Sequence, residues 1–212
     1  MHTRFTILTC LSLLTGALPS AMAATVEYDL EIAEQVLSPA GKAVKALAIN
    51  GTMPGSTLRF REGDTAVIHV HNRLKHEETS THWHGLLLPN EQDGVPYVTT
   101  PPIKAGQTHT FTFPLRHAGT YWFHSHTGLQ EQRGVFGSIV VLPRGGETQH
   151  ADLDQVMVLS DWTNENPHEV LRSLKRGTNW YPVKKGTAQS ITGAMQKGML
   201  KDYLARERSR MP

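Results

Sequence analysis

Between residues 26 and 142 the chain is written mostly with a period of two. Val26-Glu-Tyr-Asp-Leu-Glu-Ile32 alternates apolar and acidic positions, the pattern of a strand with one face buried. Leu47-Ala-Ile49 gives a second short strand, stopped by Asn50-Gly51, and Met53-Pro54-Gly55 reads as a turn. Residues 57–60 and 65–71 alternate again across the polar loop Arg61-Glu-Gly-Asp64. Residues 80–88, 107–114, 119–124 and 135–142 complete the set. About eight short strands, with turn signals roughly every 8–12 residues and no periodic helix between them, predict an all-β sandwich. Residues 24–143 suffice for one such domain.

After residue 143 the pattern changes. Arg144-Gly-Gly-Glu-Thr-Gln-His150 has no apolar position and reads as a linker, placed at 144–151. Gln155-Val-Met-Val-Leu-Ser160 predicts one more apolar strand, and residues 168–175 a short helix started near Asn166-Pro167. From residue 186 onward the chain is polar and basic, with no strand pattern. Residues 165–212 hold ten Lys and Arg against four Asp and Glu, a net of +6, read as a solvated face. So short a stretch cannot close a second sandwich. Residues 152–212 are therefore expected to be the incomplete start of a second domain.

The first 23 residues stand outside this pattern. Arg4 precedes the run Phe5-Thr-Ile-Leu-Thr-Cys-Leu-Ser-Leu-Leu14, and Ala21-Met22-Ala23 forms a small-residue cleavage signal. The run is too short, and too broken by Thr and Ser, to span a bilayer stably. It predicts a signal peptide cut after Ala23 and an exported, periplasmic or extracellular product. Cys10, the one cysteine of the 212 residues, leaves with it. A mature chain without thiols has neither a disulfide framework nor a Cys-rich metal site. Apolar residues make up 39% of the chain, enough to exclude a disordered class. A net charge of +2 gives no basis for nucleic-acid binding.

The twelve His carry the candidate chemistry. His82-Trp-His84 and His124-Ser-His126 repeat one spacing. On a strand, positions i and i+2 face the same side about 6.6 Å apart, with Trp83 and Ser125 facing the other. Two such pairs on neighbouring strands set four imidazoles around one small space. A single strand His is usually a satisfied polar residue; the doubled spacing is what points to a metal. With no thiolate and no carboxylate triad beside them, the four favour copper or zinc. His69 and His71 share the spacing, but with Val67 they read as the exposed face of an amphipathic strand. His109 and His117 are isolated and expected at the surface. Met195 and Met199, at i and i+4, are expected to pack rather than bind Cu(I), and Met157 can face either side of its strand.

Four blocks, in order and spacing, resemble the first domain of multicopper oxidases. They are His82-Trp-His-Gly85, Asp93-Gly-Val-Pro96, Gly119-Thr-Tyr-Trp-Phe-His-Ser-His126 and Gly134-Val-Phe-Gly137. Asn50-Gly-Thr-Met-Pro-Gly55 and Leu58-Arg-Phe-Arg-Glu-Gly-Asp64 are similar to that family's N-terminal strands. Leu129-Gln-Glu-Gln132 and Leu159-Ser-Asp-Trp-Thr163 resemble more narrowly its bacterial, periplasmic copper-resistance members. The likeness runs from about Val26 to Trp180.

The resemblance implies a cupredoxin-like Greek-key sandwich, followed by the start of a second one. It implies that His82 binds a type 2 copper, and that His84, His124 and His126 bind the type 3 pair, together half of a trinuclear cluster. Asp93 would help carry protons to O2 as it is reduced to water. The electrons would come from Cu(I) or a phenol. The family's other half-cluster, a His-x-x-His-x-His and a His-Cys-His run, does not occur here, so a type 1 site is not expected. The chain is read as a fragment, a truncated product, or a domain completed by C-terminal cupredoxin domains of the same or another chain. A lone Arg4, where many relatives carry twin Arg, leaves the export route open. The alternative function is a periplasmic protein that sequesters copper without turnover.

Overall fold

The computed structural model describes residues 23–148, 151–177 and 190–208. Of the signal-peptide reading, residues 1–23, all but Ala23 lie outside the described residues, as does the far end of the family likeness at 178–180. Eight strands form where period-two alternation predicts them: β1 Thr25–Leu37, β2 Val44–Ile49, β3 Gly55–Arg61, β4 Thr65–Asn72, β5 His82–His84, β6 Thr108–Pro114, β7 Gly119–His124 and β8 Phe136–Leu142. They make two four-stranded sheets, ordered β2-β1-β4-β6 and β3-β8-β7-β5. β1 runs parallel to β4, and β3 parallel to β8; the other neighbours are antiparallel. Such non-consecutive neighbours require chain crossings between the sheets, which makes this a cupredoxin-like Greek-key sandwich.

The alternation sorts side chains between core and solvent. On β4, Ala66, Ile68 and Val70 are buried while Val67, His69 and His71 lie on the outer face. Leu30 and Ile32 of β1, Leu58 and Phe60 of β3, Phe111 and Phe113 of β6, and Ile139 and Val141 of β8 fill the space between the sheets. Trp83 of β5 sits among them, fully buried. Its ring lies edge-on to Phe111 at 5.2 Å, with Phe113 at 5.6 Å and Phe123 at 5.7 Å. The residue between His82 and His84 is thus a core anchor that fixes which way both imidazoles point.

β5 is shorter than its sequence pattern predicts. Gly85 leaves the strand at φ +88°, and the chain turns away through a short 3-10 segment, Asn90–Gln92. β8 is unusual in being buried on both faces. Its outer face meets residues 153–161. Thr120 and Val140 share a cleft with Leu153 to Met157, and Trp122 and Phe136 share another with Val158 to Asp161.

Residues 155–160, predicted as a strand, have no ladder partner and form no regular element. The physical reason is the sheet order. β7 and β8 already have neighbours on both sides, so a segment crossing their face meets no free edge. Val156 and Val158 are half-buried there, while Met157 and Leu159 face solvent.

The helix expected near residue 168 is present as α1, Pro167–Lys175. Asn166 caps it, its side-chain oxygen accepting the His168 N–H, and Pro167 opens it. Among the described residues two further short helices follow in the stretch without a strand pattern, α2 Ile191–Gln196 and α3 Leu200–Arg208. Met195 and Met199 remain largely exposed. Among the described residues no helix is long and apolar enough to cross a membrane.

Candidate metal centre

β5 and β7 pair antiparallel, with His82 opposite His124, Trp83 opposite Phe123, and His84 opposite Trp122. This register does the assembling. His82, His84, Trp122 and His124 share one face of the sheet, and Trp83 and Phe123 share the core face. His126, two residues past His124, continues the alternation just beyond the strand end. Four imidazoles therefore collect at one corner of the sheet. His82 lies 5.4 Å from His84, 5.6 Å from His124 and 4.9 Å from His126, measured between ring centroids. His124 lies 5.5 Å from His84 and 4.9 Å from His126. His124 is buried and His82 half-buried, whereas His84 and His126 are open to solvent.

The nitrogen atoms are spaced for metal ions. One ligand nitrogen each from His82, His124 and His126 lies within 4.8 Å of the others. His84 joins through Nδ1, 3.3 Å from Nε2 of His124. For metal–imidazole bonds of about 2.0–2.1 Å, two ligands on one tetrahedral ion sit about 3.3 Å apart.

The electrostatics keep His124 and His126 neutral. Burial, aided by the neighbouring His126, His82 and His84, pushes the His124 pKa down to about 4, against the Ser125 carbonyl that favours its charged form. Burial and the nearby His82 also lower that of His126, with Asp93 opposing. Neutral rings offer lone pairs at neutral pH.

The outward-facing nitrogens are tied back. Nδ1 of His82 lies 2.8 Å from the Asp93 carbonyl oxygen and 3.4 Å from its carboxylate. Nδ1 of His124 lies 3.2 Å from the Ser125 carbonyl and 2.8 Å from the Glu131 carboxylate. Acceptors at Nδ1 keep the proton there and leave Nε2 free for a metal. Trp122 stacks flat on His124, 3.9 Å between centroids and 12° between planes.

Two loops carry this backing. Asp93 precedes Gly94, whose φ is +84° and where a Cβ would run into the Thr81 carbonyl. Gly94 N–H donates to Thr100 Oγ1 at 2.9 Å, and Thr99 Oγ1 donates to Asp93 Oδ2 at 3.4 Å. Beneath the second pair, Ser80 Oγ accepts the His126 N–H at 2.9 Å, and Ser125 Oγ donates to buried Gln130 at 3.0 Å. Sequence reasoning reached Asp93 and the four His. Gln130 and Glu131 entered it only inside the Leu129-Gln-Glu-Gln132 likeness, with no role attached.

His69, His71, His109 and His117 lie apart from this cluster. His69 Nε2 meets Glu27 at 2.6 Å and His71 Nε2 meets Asp29 at 2.7 Å, while each Nδ1 meets a Thr hydroxyl of β6 at 2.8 Å. They are half-buried within a polar ladder, not freely exposed. His109 and His117, expected at the surface, are half-buried too. His109 Nε2 and His117 Nδ1 have no hydrogen-bond partner, and burial lowers the His109 pKa. Packing against Phe111 and Tyr121 covers them, which a strand pattern read one residue at a time does not show.

Residues 31–146, more than half of the chain, match the family model described as multicopper oxidase, and this span holds all four imidazoles and Asp93. The chain belongs to the multicopper oxidase family. It is 45% identical over 165 residues to Copper resistance protein A of Escherichia coli, and 42% identical over 161 residues to Copper resistance protein A of Pseudomonas syringae pv. tomato. These alignments cover 78% and 76% of this chain but 27% and 26% of those relatives. The chain thus spans about a quarter of their length. Among solved structures, a multicopper oxidase from Pseudomonas thermotolerans aligns with TM-score 0.55 and 37% identity over 57% of this chain and 30% of that one. A variant of the laccase from B. aclada aligns with TM-score 0.66 and 38% identity over 75% of this chain and 30% of that one. For a multicopper oxidase domain, four imidazoles with no thiolate among them are a donor set that suits copper.

Proposed function

We propose that this chain is the N-terminal part of an exported copper-resistance oxidase, and that it supplies half the ligands of a trinuclear copper cluster. One observation carries the reading: four imidazoles from two paired strands converge, and two of them remain open on one side. In this reading His82 holds a type 2 copper, and His84, His124 and His126 hold their share of a type 3 pair. The remaining ligands and the entry site for electrons belong to a C-terminal part, consistent with relatives of which this chain matches only about a quarter. Copper bound here supplies one-electron redox chemistry, coupling oxidation of Cu(I) or a phenol to reduction of O2.

The chain's own residues bind, orient and manage protons. His124 and His126 stay neutral and keep their lone pairs for the metal. The Asp93 backbone orients His82, and its carboxylate lies beside that ring and near His126. That position suits a group that delivers protons to the oxygen under reduction. The periplasm is the compartment that the leader and the copper-resistance likeness support.

A second reading, copper sequestration without turnover, draws on the exposure of His84 and His126, which leaves the half-site accessible in this chain alone. Calorimetry with the chain and its His84→Ala/His126→Ala variant tests the site, and equal copper affinity in the two would sink it. An oxygen electrode, with Cu(I) or a phenol, separates the readings. The oxidase reading expects little four-electron turnover from the chain alone, and activity once the C-terminal part of a close relative is added. Copper binding with no O2 uptake after that addition favours sequestration.

A further inference from the structure

His124 is the most buried of the four imidazoles, and its ring is held on both a face and an edge. Trp122 covers the face. At the edge, Nε2 points into the cluster, 3.3 Å from His84 Nδ1, and Nδ1 points away. Two oxygens stand behind Nδ1: the Ser125 carbonyl at 3.2 Å and Glu131 Oε2 at 2.8 Å. For His82 the corresponding close partner is a backbone carbonyl, with the Asp93 carboxylate farther off at 3.4 Å. At His124 the closer partner is a side chain.

Glu131 is a placed group. Its neighbour Gln130 is 1% exposed. Gln130 Oε1 accepts from Thr79 Oγ1 at 2.7 Å and from Ser125 Oγ at 3.0 Å, and its Nε2 donates to the Glu78 carbonyl at 2.8 Å. The turn closes through Val135 N–H on the Gln130 carbonyl at 3.0 Å and Gly134 N–H on the Glu131 carbonyl at 3.0 Å. Ser125 N–H in turn donates to the Val135 carbonyl at 3.0 Å. The turn that presents Glu131 is therefore bonded directly to the segment that presents His124 and His126.

We propose that Glu131 is a positioning residue for His124: its carboxylate holds the proton on Nδ1 and so aims the Nε2 lone pair at the metal. The proposal rests on the reading of His124 as a copper ligand. A carboxylate behind a ligating imidazole fixes its tautomer and ring orientation and strengthens it as a donor. Losing such a partner lowers metal affinity by about 10–100-fold.

The test uses the full chain and its Glu131→Ala and Glu131→Gln variants. Long-range ¹⁵N–¹H correlation spectra of the metal-free proteins report the His124 tautomer, and calorimetry with copper alone reports affinity. The expected result is a wild type with the proton on Nδ1, and in Glu131→Ala a mixture of tautomers with about 10–100-fold weaker copper binding. Glu131→Gln keeps an acceptor oxygen of the same reach and is expected to stay close to wild type in both readouts. Wild-type tautomer and affinity in Glu131→Ala would overturn the proposal, because the Ser125 carbonyl would then suffice. Glu131→Gln as impaired as Glu131→Ala would overturn it as well. The tautomer is read without metal, so it decides the action of Glu131 even if a His124→Ala control shows that copper binds elsewhere.

Discussion

His69-Val-His71 and His82-Trp-His84 are one motif on strands of the two opposed sheets, and they end in different chemistry. In both, the central residue is buried and the imidazoles share the outer face. The difference lies in what the neighbouring strands place opposite. Beside β4 stand Glu27 and Asp29 of β1 and Thr108 and Thr110 of β6, and every ring nitrogen of His69 and His71 meets one of these oxygens. Their rings stay 6.5 Å apart. Beside β5 stands β7 with Trp122 and His124, and beyond it His126, so ring faces ring and nitrogens remain free toward a common space. Spacing along one strand makes a candidate. The register of the next strand makes a site.

The largest expected effect concerns the buried residue between each pair. Trp83 fills the middle of the core, so Trp83→Ala is expected to destabilise the chain by about 3–5 kcal/mol. Val70→Ala removes far less and is expected to fall within roughly 1–3 kcal/mol. Urea unfolding of both variants measures the difference. Equal losses would mean that Trp83 does not anchor β5, and that the orientation of His82 and His84 has another source.

The next effect is a pH dependence carried by the strand that faces His82 and His84. Folding holds His124 neutral down to about 4, whereas the unfolded chain takes up its proton at the ordinary His value of 6.5. The unfolded state therefore binds more protons between these limits. Stability is fully present above pH 6.5 and falls as the pH drops toward 4. Lowering of the His126 pKa adds in the same direction. Metal-free unfolding curves from pH 7 to 4 should show this slope in the wild type and lose most of it in His124→Gln. A slope unchanged in the variant would place the sensitivity elsewhere.

Copper affinity sharpens the contrast. His84→Ala/His126→Ala is expected to weaken binding at least about 100-fold, ~2.7 kcal/mol, since direct ligands matter no less than the groups behind them. His69→Ala/His71→Ala is expected to leave calorimetric affinity within about threefold of wild type, worth less than ~1 kcal/mol.

Sequence reasoning could go far here for a physical reason. Strand alternation is local, so β1 to β8 are visible in residue order, and the doubled His-x-His needs no knowledge of contacts. What stays hidden depends on neighbours distant in sequence. The run 155–160 carries a strand's apolar pattern, yet it lies across β7 and β8, whose edges are already taken. The carboxylates facing His69 and His71 come from 42 residues away. Glu131 lies only seven positions beyond His124, but a turn, not a strand, brings it back, and turn geometry leaves no period to read.

The smallest effect tests the third pair on its own terms. Glu27 and Asp29 are 63% and 68% exposed, and His69 and His71 face them near solvent. Water screens such pairs, and each contributes at most about 1 kcal/mol, less in high salt. Glu27→Gln/Asp29→Asn is therefore expected to change stability by no more than ~1 kcal/mol in dilute buffer, with the difference shrinking in ~1 M salt. The same variant frees two imidazole nitrogens from their carboxylates without adding a facing ring. If spacing alone were enough to hold copper, that release would create a new binding event in calorimetry. The register argument expects none, because the two rings would still have no partner across the strand. A second copper bound in this variant, lost again on adding His69→Ala, would show that the outer pair is a site masked by its acids and would break the comparison.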